Sequence, residues 1–290
     1  MNYRIAVLVK QVPDTHNISG EVMKEDGTVN RAALPAIFNP EDMNALEEAL
    51  KIKEKHGGEI SVITMGPPNA VKVLKESLYR GVDKAVLVSD RQFAGADTLA
   101  TSYALSLSIK KMGEFDLIFC GRQAIDGDTA QVGPQTAEKL KMNQVTSVDS
   151  ILELSDNTIT VRRQIDGGDE TVRAKLPALL TITSDANTPR PPAIKKLLAY
   201  KNAKTEFDIK DYDEEYLSTA SEKELKTRIP VYNHEDIGAS PEQCGLKGSP
   251  TKVKQIESVV LEADEFKKIE NTQAGFKQLI TELMNEHIIG

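Results

Sequence analysis

Short apolar runs alternate with segments of helical periodicity along the first part of the chain. The runs at residues 5–9, 60–65, 85–88 and 115–120 are apolar, most of them rich in β-branched residues, and predict buried strands. Strands that are apolar throughout, with helices between them, are typical of a parallel sheet covered on both faces. We therefore predict an α/β fold with a doubly wound, mostly parallel sheet.

Three helices are predicted between these strands, because apolar residues recur on one face of each segment. The residues that mark them are Met43, Leu46, Ala49 and Leu50 for the first, Val71, Leu74 and Leu78 for the second, and Leu99, Tyr103, Leu105, Leu107 and Ile109 for the third. Gly81 predicts the end of the second helix, since glycine is favoured just after a helix.

The pattern changes after Val145. Residues 151–154, 158–163 and 170–174 are alternating or rich in β-branched residues, with turn residues between them. This arrangement predicts an antiparallel β-meander that leads into a buried strand at residues 178–183.

The rest of the chain is less regular. The prolines of residues 187–192 exclude a helix or a central strand there. Residues 261–289 end in a predicted amphipathic helix. One face of that helix carries Phe276, Leu279, Ile280 and Leu283. We predict an α/β domain over residues 1–190, which includes the meander. Residues 191–290 form either an extended C-terminal arm that reaches a partner or a loosely packed lobe.

The charge balance and the cysteines exclude several classes of protein. The chain of 290 residues carries 36 Lys and Arg against 44 Asp and Glu, a net charge of -8, which argues against nucleic acid as a partner. Cys120 and Cys244 lie far apart and predict no disulfide framework. No apolar run is long enough for a membrane span, and residues 1–4 lead directly into a strand. We expect a cytoplasmic protein.

The most informative stretch for function is residues 121–134, which joins a buried strand to a helix. Its small and hydroxyl residues allow backbone N–H groups to approach a phosphate at a helix N-terminus. Pro134 fits only in a first helical turn, so the helix should begin between Thr129 and Val132. Asp126 and Asp128 either bind ribose hydroxyls or fix the loop. An ordinary loop with a capping Asp is the alternative.

Other segments at the predicted strand ends have two interpretations. Lys10 either meets a phosphate or is only solvated. Residues 39–42 form a compact helix start, with Asn as cap and Pro in the first turn, which is a purely structural interpretation. The same segment would also point a helix N-terminus toward a ligand-binding crevice, which is the functional interpretation. In doubly wound sheets, ligands bind in such a crevice at the carboxyl ends of the strands.

The start of the third helix is similarly ambiguous. Asp97 or Thr98 is a good helix cap, which needs no ligand. However, the hydroxyls of Thr98, Thr101 and Ser102 should lie near one helix end, which suits a hydrogen-bonding ligand.

The sequence contains no recognisable catalytic machinery of its own. Its four His and two Cys show no metal-ligand spacing. No nucleophile elbow, Walker loop or G-x-G-x-x-G fingerprint is present. We therefore predict no catalytic residue and no metal, and expect the chemistry to belong to a bound cofactor.

Taken together, these segments resemble the beta subunit of electron transfer flavoproteins. Residues 9–14, Asn39 with Pro40, and residues 121–126 are similar to the family's first strand and nucleotide-binding turns. Residues 161–181, VRRQIDGGDETVRAKLPALLT, carry the most specific similarity. The resemblance covers nearly the whole chain.

The resemblance implies a heterodimer with a larger alpha subunit that carries an FAD. Simple members hold AMP in the beta subunit, whereas electron-bifurcating members hold a second FAD there. That FAD accepts a hydride from NADH and sends its electrons separately to ferredoxin or flavodoxin and to the alpha-subunit FAD. The expected cofactor-binding residues are Leu8, Lys10, Asn39, Asp42, Met65, Gly66, Asp97, Thr98, Thr101, Gly121, Gln123, Asp126, Gly127, Asp128, Thr129, Ala130, Gln131 and Val132.

Several segments are similar to the bifurcating group in particular. They are residues 127–134, Asp97 and Thr98 with residues 100–102, residues 236–242 and residues 248–251. Small hydroxyl residues at 98–102 would leave room for an isoalloxazine ring. The sequence departs from the family at residues 190–192, where many members have an aromatic after the Arg, and in a charged insertion at residues 204–225.

Residues 189–200 resemble the family's recognition loop, which docks an acyl-CoA dehydrogenase. Ile194 matches its apolar anchor, with Arg190 and Leu197 beside it, although Ile194 could instead pack locally. A nucleotide-binding regulatory module of the stress-protein type shares the strand-loop chemistry, but it would not explain residues 161–181 or the C-terminal arm.

Overall fold

The computed structural model describes residues 2–14, 35–209, 228–251, 267–286 and 288–289. These residues belong to two compact units, residues 1–254 and residues 255–290. The first unit holds the central sheet and its helices, and the described part of the second contains one helix. The predicted insertion at residues 204–225 lies largely outside the described residues.

The helices and strands of the first unit follow the predicted alternation and then the meander. The strands are β1 (Tyr3–Leu8), β2 (Gln11–Pro13), β3 (Ala36–Phe38), β4 (Gly58–Met65), β5 (Lys84–Val88), β6 (Leu117–Gly121), β7 (Asn143–Leu154), β8 (Thr158–Ile165), β9 (Gly168–Lys175), β10 (Ala178–Ile182), β11 (Lys204–Thr205), β12 (Arg228–Ile229) and β13 (Val231–Tyr232). The helices are α1 (Pro40–His56), α2 (Val71–Arg80), α3 (Thr98–Met112), α4 (Val132–Leu140), α5 (Ile194–Tyr200) and α6 (Glu206–Ile209).

A nine-stranded sheet in the order β13-β5-β4-β1-β6-β10-β7-β8-β9 forms the centre of this unit. Every pair from β13 to β7 is parallel. The pairs β7-β8 and β8-β9 are antiparallel. The predicted α/β fold, with a mostly parallel sheet and an added antiparallel meander, is confirmed.

Each face of the sheet carries its own apolar core, because side chains alternate along a strand. Ile5 and Val7 of β1 face a core that includes Leu46 of α1 and Leu74 of α2. Ala6 and Leu8 of the same strand face a second core, with Leu105 of α3 and Ala137 of α4. Helices on both faces explain why the strands are apolar throughout.

Three features of this unit were not predicted. Strand β13 pairs with the end of β5, so the chain returns to the sheet after residue 228. Strand β7 begins at Asn143 and pairs in parallel with β10 before the meander begins. Residues Ile194–Tyr200 form helix α5, where the sequence indicated only a short apolar and basic segment.

The second unit contains helix α7 (Gln273–Asn285). The Thr272 hydroxyl caps it by accepting a hydrogen bond of 3.1 Å from the Gly275 N–H. Phe276 and Ile280 are exposed within this unit, as is Met284, at the spacing of one helix face. The predicted amphipathic helix is confirmed, and the division of the chain at residue 190 stays a prediction.

Candidate functional site

The sheet changes direction at β1, which places a crevice there. From β1 the chain proceeds to β4 and β5 on one side and then crosses to β6 on the other side. The loops after β1 and β6 therefore diverge at the carboxyl ends of adjacent strands. This switch point is where open α/β sheets bind ligands.

Asp42 joins the two strand ends at the switch point. Its Oδ2 accepts a hydrogen bond of 2.8 Å from the Lys10 N–H, and its Oδ1 accepts one of 2.8 Å from the Gly121 N–H. The side chain is buried in the first turn of α1, and this burial raises the pKa of Asp42 to about 7 despite the two bonds. Asp42 thus ties the start of α1 to both β1 and β6.

Two further residues of the α1 start hold the loop after β6. The fully buried Asn39 donates to the Gln123 carbonyl at 2.9 Å and accepts from the Ile125 N–H at 3.2 Å. Glu41 accepts from the Gln123 N–H at 2.9 Å. Asn39 precedes α1, but its side chain makes no capping bond to the helix. The compact helix start of residues 39–42 therefore serves to position the loop, a task that the capping interpretation missed.

The loop from Gly127 to Gln131 is exposed and has an unusual backbone. Asp128 and Ala130 adopt positive φ angles of 48° and 52°, which non-glycine residues rarely do. Alternation of right- and left-handed residues turns backbone N–H groups toward one side and forms an anion-binding concavity. This conformation is the feature of the loop that best fits a phosphate.

Helix α4 begins directly after this loop. It starts at Val132, within the predicted range, and Pro134 lies in its first turn. The N–H groups of a first turn have no acceptor within the helix, so they are available to an anion. Gly133 allows the helix to approach the sheet, since a Cβ there would lie 2.8 Å from the Cys120 sulfur.

Two acidic residues of the loop are held by neighbouring side chains. The Lys10 ammonium lies 2.7 Å and 2.8 Å from the two carboxylate oxygens of Asp126. Gln123 donates to Asp128 at 2.9 Å. Among the predicted roles for these acids, fixing the loop is thus visible in the structure. Lys10 is engaged by an acid and is not only solvated.

The start of α3 meets the start of α4. Thr98 donates to the Gln131 side chain at 2.8 Å, and Gln135 donates to Thr98 at 3.4 Å. Ser102 is fully buried and bonds to Leu99 and Gln135, so its hydroxyl serves packing. Gln135 was missed, although it lies four residues after Gln131, which directly precedes α4, so the two side chains are one helical turn apart.

Asp97 caps α3, as one of its two interpretations required. One carboxylate oxygen accepts from the Leu99 and Ala100 N–H groups, and the other accepts from the N–H and hydroxyl of Thr251. Burial would raise the pKa of Asp97, but these hydrogen bonds outweigh it and lower the pKa. Residues 249–251 are thereby fastened to this helix start. Thr101 is half-buried beside it.

The remaining predicted cofactor-binding residues lie at the carboxyl ends of β1 and β4. Leu8 is buried at the end of β1, and Met65 is half-buried at the end of β4. The Gly66 N–H donates to the Val88 carbonyl of β5 at 3.0 Å. The structure thus brings all the predicted cofactor-binding segments to one edge of the parallel sheet.

Two cavities among the described residues lie away from this edge. The larger, about 450 Å³, is lined by residues such as Arg4, Lys84 and Lys111, at the amino ends of the strands. Among the described residues, no group of His, Cys, Asp and Glu could hold a metal ion, and no helix is long and apolar enough to cross a membrane.

Two of the predicted docking residues are exposed, whereas the third is bound to acidic side chains of α1. Ile194 and Leu197 lie on α5 with 77% and 40% exposure, so local packing does not account for Ile194. Arg190 instead turns toward α1, where its guanidinium bonds to Glu47 at 2.9 Å and pairs with Glu54. The hydrogen bond from Arg190 lowers the pKa of Glu54. Arg190 thus fixes the segment that leads into α5.

Comparison with known proteins assigns the family. The family model described as the electron transfer flavoprotein domain matches residues 26–207. An electron transfer flavoprotein subunit beta from Thermoanaerobacterium thermosaccharolyticum is 41% identical over 285 residues, which cover 98% of this chain and 99% of the relative.

Two relatives are named after reductase complexes. The caffeyl-CoA reductase-Etf complex subunit CarD of Acetobacterium woodii is 45% identical over 86% of each chain. The acryloyl-CoA reductase electron transfer subunit gamma of Anaerotignum propionicum is 40% identical over 99% of this chain and 100% of its own length. The chain therefore belongs to the electron transfer flavoprotein family and, within it, to the beta-subunit type.

Proposed function

We propose that this chain pairs with an alpha subunit and holds an FAD at the carboxyl edge of its parallel sheet. In this proposal the FAD takes a hydride from NADH, and its electrons pass to ferredoxin or flavodoxin and to a second flavin in the alpha subunit. The alpha-subunit flavin in turn serves an acyl-CoA dehydrogenase or reductase. The names of the caffeyl-CoA and acryloyl-CoA reductase relatives support this class of partner.

The observation that carries the proposal is the contact between the starts of α3 and α4. The left-handed backbone at Asp128 and Ala130 and the first turn of α4 would suit a phosphate group of AMP or FAD alike. The hydroxyl of Thr98 lies against Gln131, so polar groups continue from the loop of residues 127–131 to α3. A ligand longer than AMP would extend along these polar groups and form hydrogen bonds with them.

The protein residues would hold and orient such a cofactor. Backbone N–H groups of residues 129–133 would bind its phosphates. Leu8 and Met65 would offer apolar contacts, and Thr98 and Thr101 would offer hydroxyls to a polar ring edge. The flavin itself supplies the redox chemistry, and hydrogen bonds to its ring adjust its reduction potential.

A double substitution at the start of α3 tests this proposal. Thr98→Val with Thr101→Val removes both hydroxyls at nearly constant volume and leaves the Asp97 cap in place. We expect the purified heterodimer to lose one of its two FAD and to lose NADH-dependent ferredoxin reduction. Thr171→Val, at an exposed position of β9, is the control and should change neither.

The alternative within the family is a simple electron carrier with AMP in this site. AMP would leave the Thr98 and Thr101 hydroxyls without a ligand, so the double variant would then keep its full nucleotide content. That result would contradict FAD in this site. A nucleotide-binding regulatory module is the alternative of another class, and isolation without a flavin-containing second chain would favour it.

A further inference from the structure

An ion pair links the loops that follow β1 and β6 at the switch point. Lys10 follows β1 and Asp126 follows β6, and the Lys10 Nζ atom bonds to both oxygens of the carboxylate at 2.7 Å and 2.8 Å. The two side chains therefore reach toward each other across the place where the neighbouring loops diverge.

The backbones that carry these side chains are fixed. The Lys10 N–H donates to Asp42 at 2.8 Å, and the Lys10 carbonyl accepts from the Asn39 N–H at 3.0 Å. On the other side, the Ile125 N–H beside Asp126 donates to the Asn39 side chain at 3.2 Å. Hydrogen bonds to Asn39 and Asp42 thus hold both backbones at the start of α1, and the Lys10 and Asp126 side chains extend from these fixed points.

The pair itself is weak enough to exchange. The side chains of Lys10 and Asp126 are 47% and 25% exposed, and exposed ion pairs contribute little to stability. A phosphate carries more charge than a carboxylate and binds ammonium groups strongly. The other cation of this loop, Arg122, is paired with Glu41 at 3.1 Å, whereas Lys10 is paired with Asp126.

We propose that Lys10 binds the phosphate of an adenine nucleotide and that Asp126 holds the Lys10 ammonium in its absence. Asp126 is then an internal competitor of the phosphate, and nucleotide binding transfers Lys10 from the carboxylate to the ligand. The inference rests on the proposed nucleotide site and assigns separate roles to two of its residues.

The test compares AMP with adenosine, because the two ligands differ only in the phosphate. Calorimetric titration of the heterodimer, freed of nucleotide at this site, gives the ratio of the two affinities. Asp126→Asn should raise the preference for AMP about threefold, the factor expected for loss of a competing exposed ion pair. Lys10→Met should lower this preference about tenfold, as expected for a charge-assisted bond.

Two further variants complete the test: the combination of Lys10→Met with Asp126→Asn, and a substitution in an ion pair far from the site. Once Lys10 is Met, adding Asp126→Asn should change the preference no further, since the competitor acts only through Lys10. Glu59→Gln breaks a comparable ion pair with Lys84, 2.7 Å long, at the opposite end of the sheet and should have no effect.

The outcomes separate the inference from the proposed function. If the wild-type complex binds both ligands but Asp126→Asn shifts both affinities equally, Asp126 does not compete with phosphate and the inference is wrong. An unchanged preference in Lys10→Met contradicts it as well. If the wild-type complex binds neither AMP nor adenosine, the nucleotide site itself is wrong.

Discussion

The Asp42 carboxylate approaches Gly121 so closely that the end of β6 admits no side chain. The Gly121 N–H donates to Asp42 at 2.8 Å, and a Cβ on Gly121 would lie 2.6 Å from that carboxylate oxygen and 2.7 Å from the Asp42 nitrogen. The start of α1 and the end of β6 are therefore fitted to each other.

Substitution of Gly121 should disrupt this fit. Gly121→Ala forces the new methyl group into the Asp42 backbone, which cannot move without shifting α1. We expect unfolding free energy to fall by about 2 kcal/mol, within the range for overpacking, together with loss of nucleotide binding. Denaturant titration measures the first effect. Gly168→Ala is the control, because no atom lies within 4 Å of the Cβ position there.

The raised pKa of Asp42 should make the protein less stable as the pH rises. Its pKa is about 7 in the folded state against the ordinary aspartate value of 3.8, so the folded state holds the proton over this range while the unfolded state has lost it. Stability therefore falls between these two values, by about 2 kcal/mol from pH 5 to pH 7.

Asp42→Asn should remove this contribution. Denaturant titrations of both proteins at pH 5, 6 and 7 give the comparison, in which the wild type should lose more stability than the variant. The variant should also be less stable at pH 5, because an amide can accept only one of the two N–H bonds. A parallel pH dependence in the two proteins would show that Asp42 does not titrate in this range.

Arg190 should act by holding helix α5 in place. Arg190→Gln leaves Glu47, whose side chain is only 8% exposed, without its cation. We expect a loss of about 2 kcal/mol in stability and a higher KM for the acyl-CoA dehydrogenase partner, with little change in kcat. Arg173→Gln is the control, since Arg173 is 68% exposed and 4.0 Å from its acid. An unchanged KM would limit Arg190 to a structural role.

Ile194 should be an apolar anchor for the redox partner. Ile194→Asp places a charge in the docked interface, which costs about 2 kcal/mol or more in binding. Electron delivery to the acyl-CoA dehydrogenase should slow, whereas flavin content and NADH oxidation with an artificial acceptor should persist. Leu152→Asp, also an exposed apolar position, is the control. Equal transfer rates for Ile194→Asp and wild type would mean that Ile194 does not contact the partner.

Periodicity predicted the sheet and its helices because both faces of the strands are buried. Ile5 and Leu8 had to be apolar, and this requirement is visible in the sequence. Strand β13 could not be predicted, since Val231–Tyr232 is too short for a pattern and forms only by pairing with β5.

The sequence predicted which segments form the candidate site, but not the hydrogen bonds between them. Residues 39–42 and 121–132 were both expected at the strand ends, yet the role of Asn39 depends on a partner 84 residues away, Gln123. Such a contact leaves no local pattern. Likewise, Asp97 is a capping residue by sequence, but its bonds to Thr251 depend on the return of the chain to α3.

The nucleotide content of the purified heterodimer tests the central claim most directly. Acid extraction followed by chromatography counts the FAD and AMP released per complex. Our account predicts two FAD and no AMP, because polar groups continue from the loop of residues 127–131 through Gln131 to Thr98. One FAD and one AMP per complex would contradict the FAD site in this chain and leave a simple electron carrier of the same family.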